Sequence, residues 1–146
     1  MIELHRILVP SDFSETSAAA LRYAVNLARQ FNARLYLLHV PDYPGAATGD
    51  QLRELVTNDE AEALHVECAM RVGLPAEEIV RFALDHSADL VVMGTHGREG
   101  IDRLLLGSVA ETVVRKAPCP VLTVHHPDRV CVPVREPVHG RNWAPA

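Results

Sequence analysis

Two short glycine-bearing segments carry the residue types through which this chain could do chemistry. The first contains Gly94 and Gly97, and after nine further residues the second is Gly107 followed by Ser108. Glycine reaches φ > 0 at little cost and lets a ligand approach the backbone, and the N–H groups that open a helix attract anions. The Ser108 hydroxyl adds a donor beside the second glycine. The spacing therefore predicts a clamp on a phosphate chain, with a nucleotide as the leading ligand.

Polar side chains near these glycines each have two interpretations. Asp12 is either a turn former or the partner of ribose hydroxyls, as an acidic residue is in dinucleotide folds. Ser108 is either the N-cap of the following helix or a phosphate donor, and these two roles are compatible. Arg98 and Arg103 are either solvated surface charges or donors of bidentate bonds to phosphates. These alternatives stay open at the level of sequence.

The elements that must position these residues alternate between strand and helix. Short apolar runs indicate buried parallel strands, and apolar residues at helical spacing indicate the helices between them. Residues 64–70 alternate in polarity, which is typical of an edge strand, and Pro75 is well placed to open a helix. The predicted strands are 6–10, 34–40, 64–70, 90–93 and 120–125, and the predicted helices are 16–30, 51–63, 75–87 and 108–116.

This alternation predicts an α/β fold: a doubly wound, five-stranded parallel sheet with helices on both faces. Right-handed crossovers favour the strand order 3-2-1-4-5. The order reverses between strands one and four, and ligands bind outside the carboxyl ends of the strands at such a point. Pro10, Ser11 and Asp12 follow strand one and the first glycines follow strand four. Both borders of the predicted crevice therefore carry polar or glycine residues.

Composition limits the class of protein. The 146 residues, with a formal net charge of −5, fit one domain over residues 1–126 followed by a proline-rich tail, 127–146. The acidic balance disfavours nucleic acid and anionic membranes as partners, and no apolar run approaches about 18 residues. Three cysteines without paired spacing predict neither a disulfide framework nor a metal site. The first strand leaves no room for a signal peptide, so the cytoplasm is the expected location.

Several blocks of this sequence resemble the universal stress protein family. Residues 7–14 (ILVPSDFS) are similar to that family's first strand and turn, and residues 37–40 (LLHV) to its second strand. Three further blocks resemble the signature region of that family: 89–97 (DLVVMGTHG), 104–110 (LLLGSVA) and 117–122 (APCPVL). The resemblance extends over about residues 4–125. The spacing G-x2-G-x9-G-S resembles that of the family's ATP-binding branch.

The resemblance implies a Rossmann-like fold of the adenine nucleotide alpha hydrolase type, which dimerises and binds ATP, with or without Mg²⁺, with little or no hydrolysis. It implies that Asp12 and the segment at Pro10 and Ser11 contact the nucleoside, and that the Val40 backbone contacts the adenine edge. The implied phosphate contacts are Gly94, Gly97 and Arg98, with Gly107, Ser108 and Val109 closing over them. Met93 and Thr95, which flank Gly94, complete the candidate cofactor-binding residues.

Three functions stay open. The first is a nucleotide-binding regulatory or stress-response protein. The second is a slow ATPase or adenylating enzyme, although the sequence has no P-loop motif, nucleophile elbow or obvious general base, and no catalytic residue is predicted. The third is an interaction module that has lost nucleotide binding. The stretch between Val40 and Leu64, shorter than is usual in the family that this chain resembles, favours it because the adenine side is trimmed, and the full set of glycines disfavours it.

A homodimer is expected through the last predicted strand, from Val121 to His125. That strand lies at one edge of the predicted sheet, where its unpaired N–H and C=O groups invite pairing with another chain. A two-fold axis would pair it antiparallel with its own copy, and the resemblance implies the same arrangement. The tail beyond Pro127 is expected to cross to the partner.

Overall fold

A computed structural model describes residues 1–95 and 106–125 of the chain. Gly97, Arg98, Arg103 and the tail 127–146 lie outside these ranges. Within them, strands and helices alternate almost throughout. In chain order the elements are β1 (Arg6–Pro10), α1 (Glu15–Phe31), β2 (Arg34–His39), α2 (Gly49–Arg53), α3 (Asn58–Ala63), β3 (Glu67–Met70), α4 (Pro75–Asp85), β4 (Leu90–Gly94), α5 (Ser108–Lys116) and β5 (Val121–Val124).

The five strands form one parallel sheet in the order β3-β2-β1-β4-β5, which confirms the predicted fold and topology. β1 pairs with β2 on one side and with β4 on the other, where Leu8 lies opposite Val91. The carboxyl ends of β1 and β4 therefore emerge side by side, at the point where the strand order reverses. β3 and β5 are the two edges, as the sequence predicted.

The sheet is buried on both faces, which is why its central strands are continuous apolar runs. On one face α1, α2 and α3 pack against side chains such as Val9 and Leu37. On the other face α4 and α5 pack against Leu8 and Leu38. Neighbouring residues of a strand point to opposite faces, so each central strand contributes to both halves of the core. The sheet is thereby a rigid support for the loops at its carboxyl edge.

The single helix predicted for 51–63 is wrong. α2 ends at Arg53 and α3 begins at Asn58, because Thr57 and Glu60 form a capping box that starts a new helix. The Thr57 side chain accepts the Glu60 N–H at 3.1 Å, and the Glu60 carboxylate accepts the Thr57 N–H at 3.0 Å. Local side-chain bonds thus override the apolar spacing that suggested one continuous helix.

Strand boundaries differ from the prediction by a few residues. β3 begins at Glu67 because His65 turns the chain at φ 47°, and its pairing residues are not strictly alternating in burial. β4 continues through Gly94, one residue beyond the predicted end. Pro75 does occupy the first turn of α4, as predicted. None of the helices in the two described ranges is long and apolar enough to cross a membrane.

Candidate functional site

The turn that leaves β1 is held by Ser11, a buried residue whose polar atoms are all engaged. Its N–H donates to the Leu38 carbonyl at 2.8 Å, and its Oγ accepts the Phe13 N–H at 3.2 Å. The hydroxyl also lies 3.3 Å from the Ser17 Oγ, and its carbonyl accepts a bond from His39. Ser11 therefore fixes the shape of the turn from inside it.

Asp12 serves the same turn with only one of its carboxylate oxygens. Oδ1 accepts the Ser14 N–H at 3.0 Å, which is the turn-forming role that the sequence allowed. Oδ2 accepts no hydrogen bond from any residue of the two described ranges, and the side chain is half-buried at the carboxyl edge of the sheet. The residue can thus form the turn and still offer an acceptor to ribose hydroxyls.

Gly94 is required for packing rather than for an unusual backbone conformation. A Cβ added there would lie 2.6 Å from Thr16 Cγ2 and 3.1 Å from the Thr16 carbonyl carbon. Neither Gly94 nor Gly107 has a positive φ, so neither position needs the access of glycine to the left-handed region. The absence of a side chain instead brings the first turn of α1 against the end of β4. This contact joins the two borders of the crevice.

The second glycine segment returns to the end of β4. The Gly107 N–H donates to the Thr95 carbonyl at 2.6 Å, while the Thr95 N–H donates to the Val124 carbonyl at 2.9 Å. Thr95 and Gly107 therefore lie side by side at the end of β4. Of the glycine motif, Gly94 and Gly107 thus come together at the predicted crevice.

Helix α5 begins there at Ser108, directly after Gly107. Its N-cap is Gly107, not Ser108, which is the first helical residue, so the capping interpretation of Ser108 is wrong. Gly107 has no side chain with which to cap the helix, and the first internal bond runs from the Glu111 N–H to the Gly107 carbonyl. Within the described ranges, the N–H groups of Ser108 and Val109 therefore lack partners. Such N–H groups, together with the helix dipole, favour an anion.

Four other candidate residues are apolar and contribute to the core or to the end of β1. Met93 is buried in the core on the α4 and α5 face, and Val40 and Val109 pack against that core. Pro10 is buried as the last residue of β1. Because their side chains are apolar, these residues could form hydrogen bonds to a ligand only through their backbone groups.

No cluster of three or more His, Cys, Asp or Glu residues that could hold a metal ion occurs within residues 1–95 and 106–125. Burial raises the pKa of the Cys68 and Cys119 thiols, which disfavours the thiolate that binds metals. A divalent cation in this crevice would be bound mainly by the phosphates of a ligand and by water, and Asp12 is the carboxylate that the turn after β1 could add.

Sequence reasoning missed two residues that shape the crevice. Thr16 makes the close contact with Gly94, and nothing in its local pattern indicates it. His39 contacts the turn after β1, and here a signal exists, since a histidine ends an otherwise apolar strand. A polar residue buried at a strand end needs a partner. The partner itself could not be identified from the sequence.

Comparison with known proteins identifies the class. The model of the universal stress protein family matches residues 3–125, and this chain belongs to that family. A universal stress protein of Methanocaldococcus jannaschii, MJ0531, is 38% identical over 142 residues, covering 85% of this chain and 84% of its own.

Solved structures have the same fold. Protein MJ0577 of Methanocaldococcus jannaschii is 31% identical and superposes with a TM-score of 0.71, covering 84% of this chain and 96% of its own. A universal stress protein crystallised in complex with cAMP is 32% identical, with a TM-score of 0.68, and the match covers 86% of this chain and 99% of that one.

Proposed function

We propose that this protein binds an adenine nucleotide, with ATP as the leading ligand, in the crevice between the ends of β1 and β4. One observation carries the proposal: the N-terminus of α5, which no side chain of the described residues caps, is tied through Gly107 and Thr95 to the end of β4, beside the turn that holds Asp12. The family member in complex with cAMP supports the same class of ligand. The function that follows is regulatory, with the bound nucleotide altering dimer or partner contacts.

Each part of the nucleotide has a proposed contact. Phosphate oxygens meet the N–H groups of Ser108 and Val109, with Gly97 and Arg98 alongside as the glycine spacing suggests. The ribose meets Asp12 Oδ2, which has no partner in the described ranges, and the adenine edge meets the Val40 backbone. Mg²⁺, where present, binds the phosphates and water.

Calorimetric titration of the full chain with ATP and Mg²⁺, and separately with AMP and cAMP, is expected to show saturable binding of at least one of them below millimolar concentration. Phosphate binding at the α5 N-terminus predicts that affinity rises with the number of phosphates, since their charge favours the helix dipole. No heat of binding at millimolar protein and ligand would contradict the proposal.

Valine substitutions at two glycines, one in the proposed phosphate loop and one outside it, test the phosphate site. Gly97→Val is expected to weaken nucleotide binding at least tenfold, about 1.4 kcal/mol, because a β-branched side chain would block the approach of the phosphate. Gly49→Val is the matched control, since nothing lies within 4 Å of a Cβ added at Gly49. Equal affinities in the two variants would show that Gly97 is not at the phosphate site.

Turnover is expected to be slow. The sequence shows no obvious general base for a water, so ATP hydrolysis should lie far below the roughly 10 s⁻¹ typical of enzymes. A phosphate-release assay on the purified protein measures this directly. Ordinary enzymatic rates that disappear in Ser108→Ala would replace the binding function with an ATPase.

A homodimer through β5 is the second part of the proposal. β5 lies at the edge of the sheet, pairs within the chain with β4, and carries the exposed Leu122. Light scattering is expected to give a dimer for the full chain, and Leu122→Lys should shift it toward monomer. Leu84→Lys, which alters an equally apolar exposed site on α4, should not.

The tail 127–146 is proposed as a separate appendage that crosses to the partner. The chain truncated at Pro127 should then dimerise more weakly than the full chain, by the same measurement. A dimer that forms only after truncation would instead make the tail a cover of the β5 edge, and a monomeric full-length chain would rule out the dimer.

A further inference from the structure

We propose that His39 is a positioning residue for the nucleoside half of the site, an inference that rests on the proposed function. His39 is the last residue of β2, and its Nδ1 lies 2.7 Å from the Ser11 carbonyl oxygen. A carbonyl only accepts, so Nδ1 carries the hydrogen and donates it. The ring is buried, and its centroid lies 4.7 Å from that of Phe13.

This bond couples two parts of the proposed site. Ser11 directly precedes Asp12, which we assign to the ribose, and His39 directly precedes Val40, which we assign to the adenine edge. Regular pairing of β1 with β2 ends where Pro10 lies opposite Leu38. Beyond that pair, the Ser11 N–H still donates to the Leu38 carbonyl, and the His39 imidazole adds a second bond between the two chain segments at the Ser11 carbonyl. The distance from Asp12 to Val40 is therefore set in part by this side chain.

His39 also supports a strained turn. Phe13 adopts φ 63°, a left-handed conformation that costs an L-residue free energy and persists only where its surroundings hold it. The His39 ring packs on Phe13, and the His39 carbonyl accepts the Arg71 N–H at 3.1 Å, which anchors the end of β2 to the segment after β3. The turn is thus braced against the sheet rather than held only by its own hydrogen bonds.

Three substitutions of His39 distinguish the effect of its hydrogen-bond donor from the effect of its size. His39→Asn places an amide N–H at the δ position and is expected to keep nucleotide affinity within about threefold, whereas His39→Leu should lose about tenfold. His39→Gln, whose amide lies one bond further out, should lose affinity as His39→Leu does and replaces that variant if leucine does not fold. Urea unfolding measures the stability of each variant beside calorimetry with the nucleotide that the parent binds.

His86 is the matched control. Its Nδ1 also bonds a backbone carbonyl, that of Phe82 at 3.1 Å, but it lies at the end of α4, away from the crevice. His86→Leu should leave nucleotide affinity within twofold of the parent. Without nucleotide, amide exchange at Phe13 and Ser14 should accelerate in His39→Leu and not in His86→Leu.

A double-mutant cycle with Asp12→Ala tests whether His39 affects nucleotide binding by positioning Asp12. If His39 positions Asp12, then His39→Leu should weaken binding less than twofold in the Asp12→Ala background. Parent-like affinity in folded His39→Leu, equal losses in His39→Leu and His86→Leu, or additive effects with Asp12→Ala would each overturn the inference. A parent chain that binds none of the adenine nucleotides overturns the proposed function itself, and is recognised before any variant is measured.

Discussion

Replacing Gly94 with alanine is expected to lower the free energy of unfolding by about 1–3 kcal/mol, the usual cost of overpacking a close contact. The added Cβ would lie 2.6 Å from Thr16 Cγ2 and 3.1 Å from the Thr16 carbonyl carbon. The methyl group can be displaced, but the carbonyl carbon belongs to the first turn of α1, which is packed on the sheet. The contact is therefore relieved only by shifting the helix. Urea denaturation of parent and variant measures the loss.

A second substitution tests the assigned contact. Thr16→Ser removes Cγ2, so the double variant Gly94→Ala with Thr16→Ser should recover part of the lost stability relative to Gly94→Ala alone. Gly49→Ala is the control, because a Cβ at the start of α2 meets nothing within 4 Å and should be neutral or slightly stabilising. If Gly94→Ala unfolds at the same urea concentration as the parent, then close packing does not explain this glycine.

Replacing Glu60 with glutamine should cost about 1–2 kcal/mol of unfolding free energy at pH 7 and progressively less in acid. The buried Glu60 carboxylate accepts bonds from Arg22 at 2.8 Å and from the Thr57 N–H at 3.0 Å, and Arg29 lies 3.7 Å away. The Arg22 hydrogen bond, followed by the Thr57 N–H, lowers the pKa of Glu60 from its ordinary value near 4.5. The expected loss of stability is modest because the Arg22 and Arg29 guanidinium groups are half exposed, so that water screens their attraction to the carboxylate.

The pH dependence follows from the direction of that pKa change. A carboxylate whose pKa is lower in the folded chain than in the unfolded one stabilises the fold above its ordinary pKa, and that stability is lost as pH falls through the folded pKa. Glutamine keeps the acceptor of the capping box without the charge. Parent and Glu60→Gln stabilities should therefore differ most above the ordinary glutamate pKa, near 4.5, and converge as the pH falls through the lower pKa of Glu60 in the folded chain.

Glu62→Gln is the control for this prediction. Glu62 is exposed on the same helix, α3, and its replacement should leave the unfolding free energy of the parent unchanged from acid to neutral pH. Chemical denaturation across that pH range makes the comparison. A constant difference between the parent and Glu60→Gln down to pH 3 would contradict the assigned role of the Arg22 and Arg29 ion pairs.

The sequence by itself determined the sheet and the place of the candidate site. Residues 7–9 are wholly buried, and such a run is apolar because a central parallel strand has no solvent-facing side. The regular alternation with helices, combined with right-handed crossovers, fixed the order of the strands. That order brings the ends of β1 and β4 together, so the crevice followed from local patterns and one rule of chain handedness. Pro75 marked the start of α4 through its fixed φ and missing N–H.

Only the tertiary structure decided how the residues around that crevice are used. Gly94 is small because Thr16 lies against it, Ser11 is held by His39, and Glu60 pairs with Arg22. Each of these contacts joins residues that are far apart in the chain. Periodicity and capping preferences report the neighbours of a residue along the sequence, whereas a hydrogen bond or a steric contact depends on which segments the packed sheet brings together.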